Sequence, residues 1–119
     1  MGKLTTHVLD TSAGKPASGI HVELLKLKGK EKIKVTHIKT NSDGRCDTPL
    51  ISGDDFLPGE YELVFHVGAF FERTNKSEIA PEFLNFVPVR FNIVDCNENY
   101  HVPLLISPFG YTTYRGSWY

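Results

Sequence analysis

His7, Arg45 and His101 are the residues whose types invite chemistry. An imidazole changes charge near neutral pH, so it can give or take a proton. A guanidinium is a fixed cation with a planar fork of donors for anionic oxygens. Each of the three stands at a strand end or in a turn, where a rigid sheet can present it. None is specific alone: a single histidine on a strand is a structural or surface residue about three times in four. His21, His37 and His66 carry only that reading.

Local geometry singles out His101. Tyr100 to Ser107 and Tyr111 to Ser117 read as a hairpin about Phe109, and its antiparallel register sets His101 beside Ser117, an imidazole next to a hydroxyl. A slip of one residue would turn the pair onto opposite faces. His101, Pro103 and Leu105 share one strand face, and Thr112, Tyr114 and Gly116 share one face of the next. The expected surface is polar and aromatic, with a recessed histidine.

The elements that must position these residues are strands. Leu4, Thr6, Val8 and Asp10 alternate with Thr5, His7 and Leu9, and Ile20, Val22 and Leu24 alternate with His21, Glu23 and Leu25, the period of half-buried strands. The same period runs through Tyr61 to Val67, Val87 to Ile93 and Tyr100 to Ile106. Gly14-Lys15-Pro16, Ser42-Asp43-Gly44, Pro58-Gly59 and Pro108-Phe109-Gly110 supply turns. Short strands at such spacing point to a sandwich or barrel. Gly68 to Lys76 loses the alternation and reads as a short helix, and Ser77 to Phe86 as loop. The five lysines between Lys26 and Lys34 read as a solvated hairpin tip rather than a phosphate site.

A length of 119 residues fits one domain spanning 1–119. With 40% hydrophobic and 23% charged residues, the composition points away from disorder. No apolar run approaches a membrane-spanning length, and a net charge of -1 gives no basic surface for nucleic acid. Cys46 and Cys96 are too few and too far apart for a disulfide scaffold and read as free thiols. Met1-Gly2-Lys3 leads straight into an alternating segment without a secretory pattern. The expected compartment is therefore the cytoplasm, or the periplasm for a chain whose leader has been removed. Gly2 with Thr6 fits the myristoylation pattern only formally, because strand character begins by Leu4. Asn75-Lys76-Ser77 matches a glycosylation triplet that is common by chance.

Four segments carry a family resemblance: Leu4-Thr5-Thr6-His7-Val8-Leu9-Asp10, Gly44-Arg45, Tyr100-His101-Val102-Pro103-Leu104-Leu105 and Tyr114-Arg115-Gly116-Ser117. In this order they resemble the signature segments of the 5-hydroxyisourate hydrolases, transthyretin-like proteins. The last tetrapeptide discriminates most, since the hormone carrier transthyretin shares the fold but lacks it. The resemblance implies an all-β, transthyretin (prealbumin)-like two-sheet sandwich of about eight strands with one short helix. It also implies a homotetramer, a dimer of dimers whose sites lie in the channel between dimers.

The implied reaction is hydrolytic opening of the six-membered ring of 5-hydroxyisourate on the way from urate to allantoin, with no cofactor. The implied catalytic positions are His7, Arg45, His101 and Ser117, and the substrate-binding positions are Tyr114, Arg45, Leu105 and Pro103. Hydrolysing a cyclic amide needs a base for water, donors for the attacked carbonyl oxygen and a proton for the departing nitrogen. His101, tuned by Ser117, fits the first task, Arg45 the second and His7 the third, with the two histidine roles open to exchange. Ser117 as a covalent nucleophile fits less well, because no buried carboxylate completes a triad.

The chief rival is a transthyretin-type channel carrier of a small aromatic ligand, against which a bulky Tyr114 and a polar mouth argue. A regulatory module of the kind appended to peptidases is a third reading. Zinc at His7 and His101 lacks a third ligand, and Arg45 would oppose it.

Three features depart from the family pattern: Trp118-Tyr119 follow Ser117, Asn99 precedes Tyr100, and the stretch from Glu72 to Val87 is long. Since the motif is complete at Ser117, the aromatic tail is expected to pack on a neighbour or cover the cleft rim. Deleting Trp118 and Tyr119 should leave kcat for ring opening within about threefold, ~0.7 kcal/mol of barrier, while weakening assembly or thermal stability. A loss of about a hundredfold with fold and assembly intact would place the tail in the site.

Overall fold

The computed structural model describes residues 1–74 and 83–116. Its strands follow the alternation. In β1 (Lys3–Asp10), Leu4, Thr6, Val8 and Asp10 are buried, while Thr5, His7 and Leu9 are half-buried on the other face. There follow β2 (Lys15–Pro16), β3 (His21–Lys28), β4 (Glu31–Lys39), β5 (Ile51–Ser52), β6 (Gly59–His66), helix α1 (Val67–Thr74), β7 (Phe86–Ile93), β8 (Tyr100–Ser107) and β9 (Gly110–Thr113). They form two sheets: β2-β1-β8-β9, with β5 also paired to β1, and β4-β3-β6-β7. This is the expected all-β two-sheet sandwich with one short α-helix, and two of its strands, β2 and β5, are two-residue pieces.

The core lies between the sheets. Leu4, Val8, Leu104 and Ile106 from one sheet meet Val22, Leu24, Leu63 and Phe65 from the other, all fully buried. Each such side chain contributes roughly 1.5–3 kcal/mol on leaving water. The polar residues that the alternation turns inward are satisfied. The Thr6 hydroxyl donates to the Val102 carbonyl at 2.7 Å, and the Asp10 carboxylate accepts from Ser12 N–H, Ser12 Oγ and Ala13 N–H. Such partners remove the cost of an unpaired buried polar group.

Three expectations are corrected. The helix starts one residue earlier than expected and is described to Thr74; residues 75 and 76, and most of the expected 77–86 loop, lie outside the described residues. Phe86, expected in that loop, opens β7. β4 is the strand that the lysine-rich hairpin tip implies. It is a sheet edge whose first five residues are exposed on both faces, and a bulge opposite Leu24 and Leu25 breaks the alternation of Ile33 and Val35 with Lys32 and Lys34. The lysine-rich tip is where expected, turning at Gly29-Lys30 between β3 and β4.

The third correction is the hairpin register. Leu104 opposes Thr113, Leu105 opposes Thr112, and Ser107 opposes Gly110. The turn is the two residues Pro108-Phe109 rather than a three-residue turn centred on Phe109, and two-residue connections are the commonest hairpin closure. Gly110 is thereby drawn into β9, where its carbonyl accepts from Ser107 Oγ at 3.2 Å. The register moves by one, and Gly116 N–H donates to the His101 carbonyl at 2.7 Å. Ser117, Trp118 and Tyr119 lie outside the described residues.

Candidate active site

Parallel pairing of β1 with β8 sets Thr5 beside His101, His7 beside Pro103 and Leu9 beside Leu105. The opposite-parity residues of both strands fill the core. These six therefore share the outer face of the sheet. Two strands far apart in sequence thus place His7, His101, Pro103 and Leu105 on one surface.

Arg45 comes from a loop that Asn41 fastens. The Asn41 side-chain oxygen accepts from Asp43 N–H at 2.9 Å and from Arg45 N–H at 3.1 Å, while Asn41 N–H donates to the Arg45 carbonyl at 2.8 Å. Within this turn Gly44 has φ +75°, a left-handed angle that suits glycine. Its carbonyl accepts from Val8 N–H at 2.8 Å, and a Cβ on it would run into the Val8 carbonyl. The loop can therefore lie directly against β1, and an antiparallel bridge joins Arg45 to His7. Asn41 escaped the sequence reading. Its signal was an Asn two residues before Asp43-Gly44, the spacing of a side-chain-closed turn.

His7 Nε2 lies 2.9 Å from the Asp43 carbonyl. A carbonyl can only accept, so the proton of neutral His7 sits on Nε2 and the lone pair on Nδ1. Burial, then the Arg45 charge, hold His7 below its ordinary value near 6.5 against the opposing pull of the Asp43 carbonyl and carboxylate. His101 is held down by burial first, then by Arg45 and His7. Its Nδ1 lies 2.8 Å from Thr5 Oγ1. Both imidazoles are thus biased neutral beside a permanent cation, ready to accept a proton where negative charge would be welcomed.

Tyr114 is 58% exposed just beyond β9. It also lines a groove of about 520 Å³ between Val89, Phe91, Tyr100 and Arg115, a groove that includes none of His7, Arg45 and His101. His21, His37 and His66 cluster on the other sheet, with ring centres 5.1 to 6.0 Å apart, from three adjacent strands. Their strand register, invisible in the sequence, brings them together. No group of three or more His, Cys, Asp or Glu side chains among the described residues could hold a metal ion.

The model of the family described as HIUase/Transthyretin matches residues 4–116. The chain belongs to the HIUase/transthyretin family. A 5-hydroxyisourate hydrolase 2 of Rhizobium meliloti (strain 1021) is 52% identical over 116 residues, covering 98% of this chain and 97% of that protein. The solved 5-hydroxyisourate hydrolase of Klebsiella pneumoniae superposes with a TM-score of 0.80 at 32% identity, covering 98% of this chain and all of the other. Sea bream transthyretin superposes at 0.85 with 23% identity over 96% of this chain and 94% of its own, a likeness of fold alone. Within the family this chain has the expected order of segments around His7, Arg45 and His101.

The close approach of the Arg45 loop to β1 can be checked against a control. Gly44→Ala should lower stability by more than about 1 kcal/mol in urea unfolding, because it adds a collision to an unfavourable φ. Gly53→Ala, at φ +68° with open space around its Cβ, should lose less. Equal losses would show that only the backbone angle matters at Gly44.

Proposed function

We propose that this chain hydrolyses 5-hydroxyisourate, opening its six-membered ring at a cyclic amide bond. The observation that carries this reading is the placement of His7 and His101 on one sheet face with the Arg45 backbone bridged to His7, its charge biasing both imidazoles towards the neutral form. The 52% identical relative is named for that substrate, and the transthyretin likeness supports only the fold.

His101 takes a proton from water, and the resulting hydroxide adds to the amide carbon. Arg45 holds the anionic oxygens of the substrate and the charge that develops on the attacked oxygen. The carbon–nitrogen bond then breaks as the nitrogen receives the proton that His101 took from water, while His7, neutral at rest, orients the ring. Ser117, the next residue after the Gly116 that meets His101, completes the proposed set by its family position, and Tyr114, Pro103 and Leu105 shape the pocket. These side chains fill all the tasks, and no cofactor takes part. The active assembly is a homotetramer: the face bearing the site is a sheet surface with Tyr114 largely exposed beside it, and a second dimer laid on that face would shut out bulk solvent while keeping the attacking water.

Mixing purified protein with freshly generated 5-hydroxyisourate and following its ultraviolet absorbance tests the reading. His7→Ala, Arg45→Ala and His101→Ala should each lower turnover by roughly a hundredfold or more. His21→Ala, His37→Ala and His66→Ala, on the other sheet, serve as controls. The two site histidines have pKa values below 6.5, so kcat/KM should hold at neutral pH and fall only below that value, as the base is protonated. A folded protein with no effect on the substrate, or a control as damaging as His101→Ala, would sink the assignment.

A further inference from the structure

His101 is held from two sides. Thr5 is its direct neighbour in the β1–β8 register, and the Thr5 hydroxyl lies 2.8 Å from Nδ1. From the segment just beyond β9, Gly116 N–H donates to the His101 carbonyl at 2.7 Å. The Gly116 backbone lies so close to the ring that a Cβ there would sit 2.6 Å from Cδ2 and 3.2 Å from Cγ. Cδ2 adjoins Nε2, so glycine at 116 keeps the ring edge that bears Nε2 from being pushed aside. Nothing in the proposed reaction yet uses Thr5.

We infer that Thr5 is a positioning residue that holds His101 in the tautomer protonated at Nδ1, leaving the Nε2 lone pair for the proton of water. This rests on the hydrolytic reading of the site. A threonine hydroxyl has lone pairs as well as a hydrogen, so it can accept from Nδ1–H both before and after Nε2 is protonated. No switch of partners is needed during proton transfer. A carboxylate in the same place would orient the ring equally well, but its charge would favour the imidazolium. The neutral hydroxyl orients without that pull, so burial, Arg45 and His7 keep the base unprotonated. The same division of labour, one ring nitrogen tethered and the other reactive, governs oriented histidines in general.

Thr5→Val keeps the shape and β-branching and removes the hydroxyl. It should lower kcat about tenfold or more and leave KM within about twofold, because the tether acts on the base rather than on substrate. The acid limb of the pH profile should move to lower pH, since the imidazolium has lost an acceptor. Thr5→Ser should restore both kcat and the limb. Nitrogen-15 NMR of the ring should show Nδ1–H in the parent at neutral pH, and a mixed or reversed tautomer in Thr5→Val. A parent with its proton on Nε2, or a Thr5→Val variant with parental kcat, pH profile and ring shifts, would overturn the inference. If the parent fails to turn over 5-hydroxyisourate, the hydrolytic reading falls, and the tautomer measurement still decides the role of Thr5.

Discussion

Parallel pairing of β1 with β8 is the constraint on which the rest of the molecule depends. Seven residue pairs in unbroken register join Leu4–Asp10 to Tyr100–Ile106. One parity of this ladder sends Leu4, Val8, Leu104 and Ile106 into the core, and the other puts Thr5, His7, His101 and Leu105 on the opposite face. Core and site are two sides of one ribbon. A slip of one residue would bury the histidines and expose Leu4, Val8, Leu104 and Ile106, so hydrophobic burial itself holds the register of the chemistry.

The second dependence runs through the turn at 41–45. Arg45 is a cation on a loop, where a long side chain would be poorly fixed by packing alone. The Asn41 bonds, the left-handed Gly44 and the bond from Val8 fasten its backbone to β1. The same turn offers the Asp43 carbonyl to His7 and so settles which ring nitrogen carries the proton. Position and protonation of two site residues thus share one local cause, and the Arg45 charge in turn lowers the proton affinity of both histidines.

The strands bearing half-buried faces were legible in the sequence, because burial on one side writes a period of two into β1, β3, β6 and β8. In β4 the period runs through Lys32-Ile33-Lys34-Val35 and is then broken at a bulge opposite Leu24 and Leu25, so its extent was not legible. His7, Arg45 and His101 could be named from their types and from the family segments around them. The details needed the fold. One residue of hairpin register decided that Gly116 meets His101, and turn length rather than composition decided the register. The clustering of His21, His37 and His66 likewise depends on lateral alignment of three strands, a quantity that no local pattern encodes.

The bond between Thr5 and His101 spans 96 positions of sequence. During synthesis, His7 and Arg45 leave the ribosome long before the strand that holds His101; they can meet each other through the 41–45 turn, but the second imidazole is missing until that strand arrives. Contacts of such separation close late and slowly, since a long loop must lose its freedom before they are rewarded. The nascent chain therefore carries only the His7–Arg45 half of this site: one edge of β1 waits for β8, and the second imidazole arrives only with completion of the sheet.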